Sequence, residues 1–328
     1  MLTTQETHNP KGLDASPGGA IHPKSAITGT TRVVGVCGHG ISYTLSPAMH
    51  NAAFQACGLD YVYVTFEVAP GSAQAAVEGI RSLGLVGVNV TKPLKTEMLP
   101  YLDDLTEEAR RIGSVNTIIN QEGRLIGAST DGIGLSHALE TWGVPVSGSH
   151  VLILGAGGAA RAACAMVFQA KAVSTVIAAR NKQRAEETAS VGNATTVSFE
   201  PQEIKDAIQA ADLIINAVPT DLPLNPSWFN LNQAVYDTRY DTGDTILMHS
   251  ARSQGAQVSN GLDMLLFQGA ASFELWTDQE APIEVMRAAL EKGLENGEGR
   301  ITNQRINTDA NQRIKNRWVS MCRCVDCL

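Results

Sequence analysis

In the stretch GVNVTKPLKTE, Gly87 to Glu97, an apolar strand pattern ends near Thr91, and two lysines, Lys92 and Lys95, bracket Pro93. An ammonium group at the end of a buried strand is either a solvated surface charge or a proton donor held in a pocket. A donor there suits a reaction that builds negative charge on oxygen, such as hydride transfer to a ketone. It also needs an acid to hold it in place, since opposite charges at close range stabilise each other. Asp131, in STDG, is the candidate for that role; its plainer alternative is the cap of the helix that follows.

A second constellation is LGAGGAA, Leu154 to Ala160, which follows an apolar run and opens a helical one. Gly155 permits the tight turn, Gly157 lets backbone approach a pyrophosphate, Ala160 allows close helix–strand packing, and the helix N-terminus faces the anion. Such a turn can also pack tightly with no ligand. Strand before and helix after is the context that marks a nucleotide site. Where an NAD site carries an acid at the end of the next strand, this chain has AARNKQR, with Arg180 and Arg184. Guanidinium groups grip a 2′-phosphate with paired hydrogen bonds, which favours NADP over two merely solvated arginines.

In YTLSPAMHN, Thr44 and Ser46 precede a helical pattern. Ser46 with Pro47 reads as an N-cap. Two hydroxyls at a helix N-terminus equally suit a bound carboxylate. Asn116, in SVNT, falls within a predicted hairpin.

These residues need elements to bring them together. From Thr31 the pattern alternates: RVVGVCG, DYVYVTFEV and LVGVNV as strands, SPAMHNAAFQACG and GSAQAAVEGIRSLG as helices, then helical LTEEARRIG and a hairpin over SVNTIIN-QEG-RLIGAS. After Asp131 the helix GIGLSHALETWG leads into a second β/α series: VLIL, VSTVIAAR, ADLIINAV and AVYDTRY, with helices between. The apolar helices GLDMLLFQGAASFELW and PIEVMRAALEKGLENG come last and can pack back onto the first unit. Alternation of this kind predicts an α/β fold with mainly parallel sheet.

The 328 residues suffice for two domains. Hydrophobic residues make up 44% and charged ones 18%, a globular composition. A net charge of −8 with no basic block gives no reason to expect nucleic acid. Residues 1–30 read as a flexible polar lead with no signal-peptide core, and no run is long enough to span a membrane. Cys37, Cys57 and Cys164 sit in apolar runs as reduced thiols. Cys322, Cys324 and Cys327 lie in a polar tail, expected to be disordered, that offers no fourth ligand for zinc. A cytoplasmic protein without metal is expected.

Taken in order, LSPAMHNAAF, GVNVTKPLK, GSVNTI, STDGIG, LGAGGAARA, INAV, YDTRY and GLDMLLFQGAASFELW resemble the shikimate dehydrogenases over about residues 31 to 296. The resemblance implies an N-terminal α/β substrate domain, 31–130 completed by 262–296, and a Rossmann-type NADP domain, 131–261, with a cleft between; 297–328 is the tail. It implies reversible NADPH-dependent reduction of 3-dehydroshikimate to shikimate, a step toward chorismate and the aromatic amino acids, by a monomer or homodimer. Lys95 and Asp131 match the catalytic pair, Thr44 and Ser46 the carboxylate hydroxyls, Thr91 and Asn116 the ring-hydroxyl contacts, and Tyr240 and Gln268 the contacts across the cleft. On the cofactor side, Gly155, Ala156, Gly157, Gly158 and Ala159 match the phosphate turn, Arg180 and Arg184 the 2′-phosphate grip, and Val218, Gly261 and Met264 the nicotinamide end. Five positions depart from the family pattern: Thr44 for serine, Ser129 and Ala179 for asparagine, Asp278 for a common glycine, and Lys92 for an apolar residue, read as a solvated charge rather than a second positive group near the pocket. Thr44 narrows a wall that quinate's extra hydroxyl would need. A quinate or aminoshikimate dehydrogenase, or an idle ligand-binding regulator on the same scaffold, are the alternatives.

Overall fold

Strands form where branched aliphatic residues run together, and the runs GVNV, VLIL and LIIN are buried along their whole length. Burial on both faces is what parallel strands covered by helices require. The computed structural model describes residues 27–240 and 244–296; most of the expected lead and the tail with Cys322, Cys324 and Cys327 lie outside the described residues.

The first half contains β1 (Arg32–Gly38), α1 (Ser46–Ala56), β2 (Tyr61–Glu67), α2 (Ala73–Ser82), β3 (Gly87–Val90), α3 (Leu94–Glu97), β4 (Asp104–Leu105), α4 (Glu107–Ile112), β5 (Thr117–Gln121) and β6 (Arg124–Ala128). Its six strands are ordered β2-β1-β3-β5-β6-β4. Pairs β1–β2, β1–β3 and β4–β6 are parallel, and the β5–β6 hairpin joins antiparallel to β3.

The second half contains α5 (Asp131–Trp142), β7 (His150–Leu154), α6 (Gly158–Gln169), β8 (Ser174–Ala178), α7 (Lys182–Val191), β9 (Thr195–Val197), α8 (Pro201–Ala210), β10 (Leu213–Asn216), β11 (Ala234–Asp237), α9 (Ile246–Arg252), β12 (Gln257–Asn260), α10 (Leu262–Thr277) and α11 (Ile283–Glu295). Its sheet, β12-β11-β10-β7-β8-β9, is parallel throughout. The order reverses at β7, beside the glycine turn, where doubly wound folds place their ligands. The molecule is a two-domain α/β protein.

The late helices fold back across the first sheet. Leu266, Phe273 and Trp276 of α10 and Met286 and Leu290 of α11 join Val34, Met49 and Phe54 in one core. Each such side chain contributes roughly 1.5–3 kcal/mol on burial. Helix α10 also crosses α5 at Gly134, where a Cβ would stand 2.7 Å from Gln268 Cβ and 2.8 Å from the Met264 carbonyl. A larger residue there would force the two helices apart. Several elements escaped sequence reading for lack of an apolar run: β4 has two residues, β9 three, and α8 buries only Ile204 and Ile208.

Candidate active site

Lys95 lies in the short α3, directly after buried β3, and its carbonyl accepts from the Val115 N–H at 2.8 Å, tying α3 to the start of the β5 hairpin. Its Nζ reaches Asp131 Oδ2 at 2.5 Å, with the side chains 20% and 7% exposed. The other oxygen, Oδ1, accepts from Asn116 Nδ2 at 2.9 Å. The same amide nitrogen faces Thr130 Oγ1 and Gln268 Oε1, so three acceptors share two hydrogens. Asn116 Oδ1 in turn accepts from the Thr130 N–H at 2.7 Å and the Thr117 hydroxyl at 3.1 Å. Residues far apart in the chain thus fix one carboxylate against one ammonium. Asp131 is not the helix cap of the plainer reading: Thr130 occupies that position, and the Asp131 carboxylate is engaged by Lys95 and Asn116.

Ser46 is likewise not an N-cap. Helix α1 begins at Ser46 with Leu45 at the cap, and no side chain caps it. The Thr44 hydroxyl instead donates to Ser46 Oγ at 3.1 Å. Both line a cavity of about 780 Å³ between the two sheets, which also takes in Lys95, Asp131, Thr91, Asn116, Tyr240 and Gln268. That volume is in the range of small-molecule sites.

The opposite wall comes from the second sheet: Ala156, Gly157, Gly158 and Ala159 of the turn, then Arg184, Val218, Gly261 and Met264. Gly155 stands behind that wall at φ +113°, a conformation that favours glycine. Arg180 is exposed but is not brought to the wall; it precedes the cap Asn181, whose side chain accepts from the Arg184 N–H at 2.9 Å. Gly158 brings the halves into contact. A Cβ there would lie 2.6 Å from Ser114 Oγ and 3.1 Å from Lys95 Cδ, so the start of α6 abuts the lysine only because it has no side chain.

Lys92 is exposed, with its ammonium 5.4 Å from the centre of the Tyr43 ring, yet it also lines the cavity. Sequence reading missed Tyr43, Glu97, Arg161, Glu187 and Thr238 in that wall. Arg161 pairs with Glu187 at 2.7 Å. Its signal was its place in the first turn of the helix opened by the glycine turn. Glu187 offered none, since its helix shows only a charged surface pattern. Among the described residues no group of His, Cys, Asp and Glu is arranged to hold a metal ion.

Burial perturbs several groups around the site. Asp237, at the end of β11, is pushed up by desolvation, although Asn216 and Thr245 donate to it. The Cys37 thiol is pushed up to about 12 by burial, as an inert core thiol would be. His50 is lowered to about 3 by complete burial.

Comparison with known proteins places this geometry. Residues 36–118 match the model of the shikimate dehydrogenase substrate binding domain. Residues 138–228 match shikimate / quinate 5-dehydrogenase, and 261–291 match the shikimate 5'-dehydrogenase C-terminal domain. Shikimate dehydrogenase (NADP(+)) of Moorella thermoacetica is 41% identical over 281 residues, covering 82% of this chain and 95% of that one. The chain belongs to the shikimate dehydrogenase family.

Two solved structures show the likeness in three dimensions. Shikimate 5-dehydrogenase from Thermus thermophilus, in complex with NADP(H) and shikimate, superposes with a TM-score of 0.72 at 33% identity, covering 80% of this chain and 99% of that one. Quinate dehydrogenase from Corynebacterium glutamicum, in complex with NAD, gives 0.72 at 28% identity over the same shares. The departures from the shikimate dehydrogenase pattern have distinct settings here. Thr44 stands in the cavity wall, Ser129 and Ala179 are buried, and Asp278 ends α10 at φ +54°.

Proposed function

We propose that this chain is an NADP-dependent shikimate dehydrogenase, reversibly reducing 3-dehydroshikimate to shikimate. The observation that carries the reading is the Lys95–Asp131 pair, set directly against the start of α6 in a cavity that also holds the Thr44 and Ser46 hydroxyls. Residues 31–130 with 262–296 form the substrate half in this reading, and 131–261 the cofactor half.

The residues present fit NADP. A Cβ at Gly157 would meet nothing within 4 Å, leaving open space where a pyrophosphate approaches the helix N-terminus. The Arg184 guanidinium lines the same cavity and takes part in no ion pair among the described residues, so it is available to a 2′-phosphate. Arg180, exposed just before the cap of the same helix, is a further candidate for that phosphate. Val218, Gly261 and Met264 would flank the nicotinamide, which supplies the hydride when bound.

Lys95 does the proton work. As the carbonyl carbon is reduced, an Nζ–H bond breaks and the proton passes to the carbonyl oxygen; in the reverse direction Nζ takes it back from the hydroxyl. Its partial exposure gives it exchange with solvent. Asp131 remains a carboxylate and holds the ammonium in one orientation, while Asn116 holds Asp131. Thr44 and Ser46 donate to the substrate carboxylate, Thr91 and Asn116 contact its ring hydroxyls, and Tyr240 and Gln268 contact it from across the cleft.

Steady-state rates on shikimate and quinate, each with NADP+ and NAD+, test the reading. Shikimate with NADP+ gives the highest kcat/KM, because the Thr44 methyl crowds the extra hydroxyl of quinate. A clear preference for quinate with NAD+ would overturn both specificities. Shikimate binding without any turnover would instead indicate an idle regulator. The reading carries with it a cytoplasmic enzyme acting as a monomer or homodimer, and sedimentation of the purified protein measures the latter.

A further inference from the structure

Tyr63, in β2, contributes nothing to the cavity wall, yet its hydroxyl bonds to a residue that does, Asn89. It is 1% exposed and donates to Asn89 Oδ1 at 2.8 Å. Its main chain is fastened to α1, the helix that Ser46 opens: the Tyr63 N–H donates to Asn51 Oδ1 at 2.8 Å and the Tyr63 carbonyl accepts from Asn51 Nδ2 at 2.9 Å. From Asn89 the connection continues through buried side chains. Asn89 Nδ2 reaches Ser272 Oγ at 2.9 Å and Thr117 Oγ1 at 3.2 Å. The Thr117 hydroxyl donates to Asn116 Oδ1, Asn116 donates to Asp131, and Asp131 holds Lys95. A continuous row of polar groups therefore runs from the Tyr63 hydroxyl, on a residue fastened to the Ser46 helix, to the lysine at the other end.

The phenol ring is fixed as firmly as its hydroxyl. The His50 imidazole stacks on it with ring centroids 4.4 Å apart and planes 5° apart, and Trp276 leans on it at 6.1 Å. Neither His50 nitrogen has a hydrogen-bond partner among the described residues, so His50 serves here as a flat neutral plate. In a buried network each partner constrains the next, and removing one member leaves the others unsatisfied.

We propose that Tyr63 is a positioning residue: without touching substrate, it links α1, which carries Ser46, to the row that leads to Asp131 and Lys95, and its hydroxyl bond to Asn89 sets the spacing between them. This rests on the shikimate dehydrogenase reading above. A carboxylate held at Ser46 and a carbonyl presented to Lys95 belong to one rigid molecule, so the two ends must keep a fixed separation. Tyr63 maintains the Ser46 end, and Thr117, also absent from the cavity wall, maintains the Asp131 end.

Two near-isosteric variants test the proposal, Tyr63→Phe and Thr117→Val, assayed with shikimate and NADP+ beside the wild type. Tyr63→Phe raises KM for shikimate about tenfold with kcat within about threefold, because ground-state and transition-state binding of the carboxylate suffer alike. Thr117→Val lowers kcat about fivefold with KM little changed, because the acid–base end loosens. The double variant Ser46→Ala with Tyr63→Phe is no worse in KM than Ser46→Ala alone, as expected of residues acting as a unit. The same pattern of KM and kcat changes in both variants, or additive effects of Ser46→Ala and Tyr63→Phe, would overturn it. If one variant does not fold, the other still decides through its own split. Wild-type turnover of shikimate is the control: its absence removes the functional reading, whereas its presence leaves the variants to judge Tyr63.

Discussion

Acid should weaken this protein through one residue that takes no part in its chemistry. His50 is fully buried among Phe54, Tyr63 and Trp276, and burial lowers its pKa from 6.5 to about 3. In the unfolded chain the imidazole takes up a proton near pH 6.5; in the native protein it stays neutral until far lower pH. Between those values the unfolded state binds more protons, so stability falls as pH falls. At about pH 5 the penalty is roughly 1.5 units at 1.36 kcal/mol each, or about 2 kcal/mol, rising toward ~5 kcal/mol near pH 3. Replacing His50 with leucine, of similar volume, removes the term. Urea unfolding followed by circular dichroism, from about pH 7.5 down to about pH 5, should show the wild type losing about 2 kcal/mol more than His50→Leu. Glu67 and Asp103, whose pKa values are depressed by hydrogen bonds, lose their contributions only at lower pH. Asp237, raised by burial, acts in the opposite sense but equally in both proteins. Parallel stability curves for the two proteins would refute the reasoning.

Three other outcomes follow from named contacts. Lys95→Ala should lower kcat by about 10²–10⁴ while KM for shikimate changes little, measured by NADPH formation; near-normal turnover would remove Lys95 from the mechanism. Gly158→Ala should push Ser114 or Lys95 out of place and cost roughly ten- to a hundredfold in kcat, with a thermal midpoint close to wild type. Asp278→Gly should raise stability by about 0.5–1 kcal/mol in urea titrations, since glycine adopts the left-handed cap of α10 without strain.

The parts of the fold that could be read in advance were those in which local pattern and tertiary demand agree. VLIL before a glycine turn and an alanine-rich helix after it specify strand, turn and helix with little help from elsewhere. The pair Lys95 and Asp131 was visible because an ammonium after an apolar strand has few reasons to exist. Roles that depend on long-range burial were hidden. Nothing in SPAMHN distinguishes a wholly buried His50 from a surface one, and nothing in YVYVTFE singles out Tyr63 from Tyr61. Glu187 reached the cavity only because α7 turns one charged face toward Arg161, an orientation set by packing. Arg180 shows the converse: a suggestive residue type that does not itself line the cavity.

The crossing of α5 and α10 at Gly134 has a mechanical meaning. Asp131 lies three residues before that contact, and Gln268, which faces Asn116, lies directly in it. The crossing is therefore also where the second sheet meets helices packed on the first. If the halves swing about such a pivot, displacement grows with distance from it, as on any lever. The outer reaches toward Arg184 would travel furthest, while the lysine and its acid, close to the fulcrum, would keep their separation whether the jaws stand wide or narrow.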